Sequence, residues 1–219
     1  MSTLVLFPLG MFVLFKGGHF TDCLLAIVTV LSLQEWSKLC LQSGMHASKK
    51  LIWFVGGNSY IFLACYLFWT FKVEMQIFLS ILVCLTDIGA YIVGQRVKGP
   101  KLASKISPNK TWSGALGGIV LSTLVLSGAS LLIMAVESKQ IFKGFLYNPA
   151  TVTFYSIIAQ AGDLLQSWCK RQFGVKDSGA LIPGHGGILD RLDGFFAVSL
   201  AAGLILYILN QPFYKYFYN

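Results

Sequence analysis

Residues 76–95 read QIFLSILVCLTDIGAYIVGQ, a stretch in which Asp87 is the single charged side chain. A helix needs about 20 predominantly apolar residues to cross the hydrocarbon core of a bilayer. Other apolar runs, some shorter, lie at 51–71, 112–136, 145–167 and 193–209, and at 3–15 and 22–34. The pattern predicts an all-α, polytopic helical bundle integral to a membrane, with about seven membrane segments.

The composition is also that of a membrane protein. Of the 219 residues, 55% are hydrophobic and 12% are charged, whereas a soluble domain carries about 25% charged residues. The length favours one membrane domain over 1–219, with N-terminal helices in 1–86 and the helices and loops that carry chemistry in 87–219. The run 3–15 follows no basic stretch and precedes no small-residue cleavage site, so we expect it to be retained rather than removed as a signal peptide.

The basic side chains fall unevenly along the chain, whose net charge is +8. If the loop 35–50 is cytoplasmic, alternation of the spans places 96–111 and 168–192 on the same side. These loops hold twelve of the seventeen Lys and Arg residues: Lys38, Lys49, Lys50, Arg96, Lys98, Lys101, Lys105, Lys110, Lys170, Arg171, Lys176 and Arg191. Cytoplasmic loops carry an excess of Lys and Arg, so we expect these loops to face the cytoplasm from the inner cell membrane. No nucleic-acid module is recognisable, and the charge suits anionic membrane lipids.

Two carboxylates, Asp87 and Asp163, lie inside predicted membrane segments. An ionised carboxylate near mid-bilayer costs about 3 kcal/mol or more unless it faces a polar cavity or a cation. A satisfied interhelical hydrogen bond, or a position near the lipid headgroups, is the structural alternative. Ser167 and Lys170 follow Asp163 at i+4 and i+7, on one helical face, which favours a functional interpretation of Asp163.

A polar stretch after Asp163 mixes acids, bases and glycines closely. It contains Lys170-Arg171, Lys176-Asp177, Pro183-Gly184-His185-Gly186-Gly187 and Asp190-Arg191-Leu192-Asp193. Asp190 and Asp193, three apart, point the same way on a helix, and with Asp163 they form a suitable oxygen-ligand site for Mg²⁺. Glycines beside His185 let backbone N–H groups approach phosphate oxygens. The stretch indicates phosphoryl-transfer chemistry, in which metal and cations meet the charge of the transition state. A solvated loop that only sets topology is the alternative.

Two blocks of the sequence resemble the signature motifs of the CDP-diacylglycerol synthase (phosphatidate cytidylyltransferase) family. The first covers 27 positions with the family's spacing, as Ser167-Trp-Cys-Lys-Arg, Lys176-Asp-Ser-Gly and Pro183-Gly-His-Gly-Gly-Ile-Leu-Asp-Arg-Leu-Asp193. The second comprises Asp87-x-x-Ala-Tyr91, Gly94, Gly99, Ser107-Pro-Asn-Lys-Thr-Trp112, Gly114 and Gly117-Gly118. The chain departs from the family pattern at Cys169, Ser113 and Gly194, none of which belongs to the acidic set.

The resemblance implies a reaction that transfers CMP. A phosphate oxygen of phosphatidic acid attacks the α-phosphorus of CTP, which releases pyrophosphate and gives CDP-diacylglycerol, the first committed step of phospholipid synthesis from phosphatidate. The resemblance also implies Mg²⁺ beside a second cation, for which a monovalent ion such as K⁺ is a candidate. The sequence leaves the oligomeric state open, and a homodimer is common for compact polytopic enzymes.

The residue roles implied by the resemblance are assigned by position. Asp163, Asp190 and Asp193 are the expected metal ligands, and with Lys176 they form the expected catalytic set. The expected substrate-binding residues are Ser107, Lys110, Thr111, Ser167, Lys170, Arg171, His185, Gly186, Gly187 and Arg191. Asp87 is a further candidate, and Asp177 is expected to orient Lys176.

Two other classes of protein compete with this interpretation. One is a different membrane enzyme acting on lipid phosphates, such as a polyprenol or phytol kinase, in which the full run from Lys176 to Asp193 is not expected. The other is a transporter built on the intramembrane carboxylates Asp87 and Asp163. Transporters often have broken helices at matched positions of two halves, and the sequence has no such symmetry.

Overall fold

The structure, a computed structural model, describes residues 2–136, 148–179 and 186–208. Within these residues it contains seven helices and one two-stranded hairpin. The helices are α1 Ser2–Lys16, α2 Gly18–Gln42, α3 Ala47–Thr70, α4 Val73–Val97, α5 Trp112–Val136, α6 Pro149–Gln172 and α7 Leu189–Ile208. The strands are β1 Lys101–Ala103 and β2 Ser107–Thr111. Each predicted apolar segment coincides with one helix, over the part of it that the structure describes.

Five of these helices are long and apolar enough to cross a membrane: α2, α3, α4, α5 over Trp112–Ala129, and α7. The chain is therefore an integral membrane protein with several spanning helices. The helix α1 has 15 residues, and α6 is not among the five although 145–167 is predicted as a span. Polar residues explain this, because α6 carries Gln160, Asp163, Gln166 and Ser167 before its basic end.

The second helix is longer than its apolar run predicts. We predict a short segment over 22–34 followed by a loop, whereas α2 continues to Gln42 with 25 residues. The reason is that Glu35 and Trp36 are buried in the protein, at 3% and 6% exposure. A charged residue after an apolar run usually suggests that a membrane helix has ended. A buried carboxylate with partners inside the bundle is instead compatible with a helix that continues.

The hairpin between α4 and α5 is the one departure from the all-α prediction in the described residues. Its strands are antiparallel, with Lys101 opposite Thr111 and Ala103 opposite Ser107, and the register shifts between these pairs. The Ile106 N–H donates to the Ala103 carbonyl at 3.1 Å and closes the turn. Three- and five-residue strands rich in Lys, Ser and Asn lack the apolar alternation by which a strand is recognised.

The core of the bundle is built around α4. Its fully buried Phe78, Leu79 and Leu82 belong to one cluster with Val152 of α6 and Val198 of α7. Burying a side chain of this size contributes about 1.5–3 kcal/mol relative to water, although lipid is itself apolar and reduces that gain inside the bilayer. Close packing must therefore supply much of the helix association.

Glycines bring α4 and α5 into close contact. A Cβ atom at Gly114 would lie 2.7 Å from the Ala90 carbonyl oxygen, and one at Gly118 would lie 2.5 Å from the Thr86 carbonyl oxygen. The glycine-rich run 114–118 thus permits close helix packing, as small-xxx-small patterns do.

A similar contact joins α6 and α7. A Cβ atom at Gly162 would lie 2.9 Å from the Asp193 carbonyl oxygen, and one at Gly194 would lie 3.0 Å from the Ala159 carbonyl oxygen. Because these glycines are next in sequence to Asp163 and Asp193, the close contact places both carboxylates at the same level of the bundle.

Candidate active site

Asp190, in the first turn of α7, is held by three donors. Its Oδ1 atom accepts from Lys170 Nζ at 2.5 Å, and its Oδ2 atom accepts from the backbone N–H groups of Ser178 at 2.9 Å and Gly187 at 3.1 Å. The Asp190 and Lys170 side chains are each 11% exposed. Charge-assisted bonds of this kind are about twice as strong as neutral ones, so Asp190 ties Lys170 of α6 and the backbone at Ser178 and Gly187 to α7.

A second group of carboxylates lies between α4, α6 and α7. Asp163 forms an ion pair with Lys110 of β2, and its Oδ1 atom lies 3.4 Å from the Ser167 hydroxyl. Asp193 is within electrostatic range of both Asp163 and Asp87. Asp87, which precedes Asp163 and Asp193 by 76 and 106 residues in the sequence, is thus within electrostatic range of both in the folded chain.

In the described part of the chain, two cations face the three carboxylates of this group. Lys110 and Arg191 lie within electrostatic range of Asp87, and the group itself contains Asp87, Asp163 and Asp193. If all three are ionised, the group carries a net negative charge beside the Lys110 ammonium. Such a site attracts a further cation.

The carboxylate group suits Mg²⁺ by the chemistry of its donors, because Mg²⁺ prefers oxygen ligands and usually takes one or two carboxylates plus substrate phosphates. In the described part of the chain, no group of three or more His, Cys, Asp or Glu residues is arranged to hold a metal ion by itself. Asp163 and Asp193 lie together, whereas Asp190 has the separate partners given above. The predicted metal set of Asp163, Asp190 and Asp193 stays a prediction.

The hairpin contributes Lys110 to the site and fixes the start of α5. The Thr111 Oγ1 atom accepts from the Gly114 N–H at 3.1 Å, which is the N-cap interaction that satisfies a free N–H group in the first turn of a helix. Thr111 is buried, so its observed role is to cap α5. Ser107 is half-buried and pairs with Ala103 across the hairpin.

Two of the three basic stretches predicted to share one side, 96–111 and 168–192, contact each other in the structure. Arg171 is exposed and donates from Nε to the Ile106 carbonyl and from Nη1 to the Val175 carbonyl, both at 3.2 Å. Lys176 and Asp177 are also exposed there. In this structure Arg171 therefore joins the hairpin to α6, and Lys176 faces outward.

The glycine loop is described only at its end, and the predicted phosphate contact His185 lies outside the described residues. Gly186 has φ +82°, a conformation that favours glycine, and a Cβ atom there would lie 2.8 Å from Asp190 Oδ2. The Gly187 N–H donates to the same oxygen. These glycines permit a close approach to Asp190, and their predicted contact with phosphate stays a prediction.

Glu35 of α2 belongs to the same region and was not among the predicted site residues. Its Oε1 atom accepts from the Ser178 hydroxyl at 2.9 Å, and its Oε2 atom accepts from the Leu189 N–H at 3.1 Å. The sequence predicts a loop over 35–50, and for this reason Glu35 is not among the predicted site residues. The helical spacing of Trp36, Leu39 and Cys40 after the apolar run would have indicated that the helix continues.

An apolar cavity of about 320 Å³ lies beside the charged groups, between α2, α3, α6 and the start of α7. Its lining includes four aromatic side chains, Trp36, Trp53, Tyr60 and Trp168, together with aliphatic residues such as Leu165 and Leu189. The backbone of Gly162, next to Asp163, also lines it. A polar site and an apolar cavity thus adjoin at the same end of the bundle.

Fold and site together define an integral membrane helical protein with a charged site, suited to phosphate groups, at one end of the bundle. The model of the cytidylyltransferase family matches residues 51–209. The chain belongs to this family. The match begins within α3, so α1, α2 and Glu35 lie outside it.

Curated relatives carry a more specific name, phosphatidate cytidylyltransferase. The chain is similar to that of Brucella suis, with 46% identity over 137 residues, covering 63% of this chain and 47% of the relative. It is 42% identical to that of Bacillus subtilis over 142 residues, covering 65% and 45%. It is 37% identical to that of Haemophilus influenzae over 202 residues, covering 89% and 64%. The chain spans about half the length of the first two.

Proposed function

We propose that this protein transfers CMP from CTP to phosphatidic acid, giving CDP-diacylglycerol and pyrophosphate. The observation that carries the proposal is that the described residues of the block resembling the family signature bring Lys170, Ser178 and Gly187 to Asp190, in a chain whose relatives are named for this activity. A scattered arrangement of these residues would have argued against a common site.

The reaction makes a specific demand on the side chains. The phosphate of phosphatidic acid is already an anionic nucleophile, so no strong base is required. The site must instead bring two anions together in line and meet the charge that develops at the α-phosphorus. Lys110 and Lys170 are each held by a carboxylate, and Lys176 and Arg191 lie nearby in sequence. In the proposal, Lys110 and Lys170 turn from their carboxylates towards phosphate oxygens, and Lys176 and Arg191 add further positive charge.

The proposal includes Mg²⁺, which Asp163 and Asp193 would hold together with substrate phosphates, with Asp87 close by. When bound, Mg²⁺ supplies charge neutralisation for the phosphates and the leaving pyrophosphate. A second, monovalent cation such as K⁺ is part of the proposal, supported by the negative excess of this carboxylate group.

The lipid substrate accounts for the apolar cavity. Its walls of Trp53, Leu165 and Trp168 suit acyl chains, and the nearby carboxylates and lysines suit the headgroup with its cations. In the proposal, phosphatidic acid places its phosphate at the charged end and its chains in the cavity or the surrounding membrane lipids.

The proposal also sets the orientation. About seven membrane segments are expected, with α6 crossing inside the bundle, where α4, α5 and α7 contact it and cover its polar face. The hairpin and the 173–188 segment then face the cytoplasm, where CTP is found, from the inner cell membrane. A homodimer stays a prediction.

The test is a product assay with the purified protein in mixed micelles of detergent and phosphatidic acid. The proposal expects equal amounts of pyrophosphate and CDP-diacylglycerol when CTP and Mg²⁺ are added. A polyprenol kinase would instead phosphorylate an added polyprenol and release a nucleoside diphosphate. Absence of CDP-diacylglycerol from folded protein would overturn the proposal.

A further inference from the structure

Glu35 is a buried carboxylate that contacts the site from a helix outside the family match. Its exposure is 3%, and both of its oxygens accept hydrogen bonds, one from the Ser178 hydroxyl and one from the Leu189 N–H. A buried charge is costly unless it is hydrogen-bonded. Among the described residues, the hydrogen bonds to Glu35 come from Ser178 and Leu189, on either side of the signature loop. The position of Glu35 and that of the residues flanking the loop therefore depend on each other.

The contact with Leu189 is a helix cap supplied by another helix. Leu189 is the first residue of α7, and the first N–H groups of a helix have no partner within it. A carboxylate at that end also interacts favourably with the helix dipole. Glu35 therefore fixes the start of α7, one residue before Asp190 and one helical turn before Asp193.

The contact with Ser178 links Glu35 to the bonds of Asp190. Ser178 donates its hydroxyl to Glu35 and its backbone N–H to Asp190 Oδ2. The two carboxylates thus hold residue 178 on one side and residues 187 and 189 on the other. Together they close the base of the loop that carries the predicted phosphate contacts.

Two glycines make room for the Glu35 side chain. A Cβ atom at Gly179 or at Gly187 would overlap Glu35 Oε1. This observation is independent of the hydrogen bonds. It explains why glycine is needed at these two positions without any contact to phosphate. The loop backbone is shaped to the Glu35 carboxylate.

We propose that Glu35 is a positioning residue, which caps α7 from α2 and thereby holds Asp190 and Asp193 in their working places relative to Asp163. Its effect on turnover rests on the proposed function, whereas its effect on the 176–189 segment does not. Glu35 touches no reacting atom in this account and acts through α7.

Three variants and one matched control test the role in turnover. Glu35→Leu removes both acceptors, Ser178→Ala removes one bond, and Glu35→Gln keeps a carbonyl oxygen for Leu189 and offers an N–H to the Ser178 hydroxyl. The control is Glu74→Gln, the same change at an exposed glutamate of α4. We expect kcat to fall about 100-fold in Glu35→Leu, as for misplacement of catalytic groups by about 1 Å.

The pattern among the variants separates positioning from general damage. Glu35→Gln and Ser178→Ala should lose less activity than Glu35→Leu, the loss should fall on kcat rather than on KM for CTP, and Glu74→Gln should match the wild type. Ser178→Ala should add little to Glu35→Leu, because the bond it removes is already absent. Equal losses in kcat and in thermal stability across all variants would overturn the proposal.

A measurement without substrates distinguishes this proposal from the proposed function. Hydrogen–deuterium exchange should become faster over 176–190 in Glu35→Leu, and unchanged over α4 and α5. If Glu35→Leu does not fold, hydrogen–deuterium exchange over 176–190 in Ser178→Ala and Glu35→Gln tests the positioning role instead. Faster exchange in a protein without CDP-diacylglycerol synthesis would leave the positioning role and end the proposed reaction. Unchanged exchange over 176–190 would end the positioning role.

Discussion

Among single residues, Asp190 and Asp163 differ in how their charges are compensated. The Asp190–Lys170 pair has both side chains 11% exposed, whereas the Asp163–Lys110 pair has 28% and 26%. Breaking a buried pair costs about 3–5 kcal/mol, because the remaining charge has no partner. An exposed pair is worth about 0–1 kcal/mol. The two aspartates should therefore differ in their effect on stability although both are expected to be needed for activity.

Asp190→Asn should lower the free energy of unfolding by about 3 kcal/mol, because Lys170 would be left charged and buried. Unfolding in mixed micelles with increasing denaturing detergent measures this change. The control is Asp177→Asn, an exposed aspartate in the same segment, which should unfold like the wild type. Equal stability of the two variants would contradict the structural role of Asp190.

Asp163→Asn should lower the free energy of unfolding by less than Asp190→Asn does, because its ion pair is less buried than the Asp190–Lys170 pair. Activity should fall at least about 100-fold, as for the loss of an electrostatic contributor, and the Mg²⁺ concentration at half-maximal activity should rise. A Mg²⁺ titration of the micellar assay measures both. Wild-type activity with an unchanged Mg²⁺ requirement would remove Asp163 from the metal site.

Among the elements, the α4–α5 contact should be sensitive to a single methyl group. Gly114→Ala places a Cβ atom 2.7 Å from the Ala90 carbonyl oxygen, and overpacking of this kind costs about 1–3 kcal/mol. Gly128→Ala is the matched control on the same helix, where a Cβ atom meets nothing within 4 Å. Thermal unfolding in detergent should show a loss in the first variant only. Equal stability would mean that the two helices separate without cost.

The helices could be predicted from the sequence because continuous apolar runs require helices in lipid, where every backbone polar group must be satisfied within the segment. The rest of α2 and the hairpin could not. Glu35 and Lys38 read as the start of a loop, and Lys101–Thr111 has too few apolar residues for a strand pattern. Their structure depends on tertiary contacts, such as Ser178 with Glu35, that no local pattern contains.

Part of the site could also be predicted, because helical spacing determines which side chains share one helix and one face. The spacing of Asp190 and Asp193 places them on one helix, and Asp163 with Ser167 on one face, as observed. The sequence does not predict that Asp190 has different partners from Asp163 and Asp193, because this depends on which N–H groups reach Asp190. The capping role of Thr111 could not be predicted either, because the sequence alone does not show that β2 ends at Thr111 and that α5 begins at the next residue.

For the molecule as a whole, the crossing of α4 gives a test of orientation. Glu74 and Lys105 are exposed, and α4, long and apolar enough to span a membrane, separates them. In a Cys23→Ser background, which removes the exposed native thiol, Glu74→Cys should react with an impermeant maleimide added to intact spheroplasts. Lys105→Cys should react only after permeabilisation. Labelling of Lys105→Cys in intact spheroplasts would reverse the proposed topology.

The position of Asp87 within α4 also bears on how the chain enters the bilayer during synthesis. Translation produces Asp87 in α4 before Lys110 and long before Arg191, the two cations near it in the folded protein. A carboxylate at the centre of an inserting helix costs about 2.5–3.5 kcal/mol, and each Leu, Ile, Phe or Val returns about 0.3–0.6 kcal/mol. Apart from Asp87, residues 77–94 of α4 carry no charge and are mostly apolar, and α4 is apolar enough to cross a membrane. The apolar side chains of α4 offset the cost of the Asp87 carboxylate. The translocon can therefore release α4 into lipid before Lys110 and Arg191 have been synthesised.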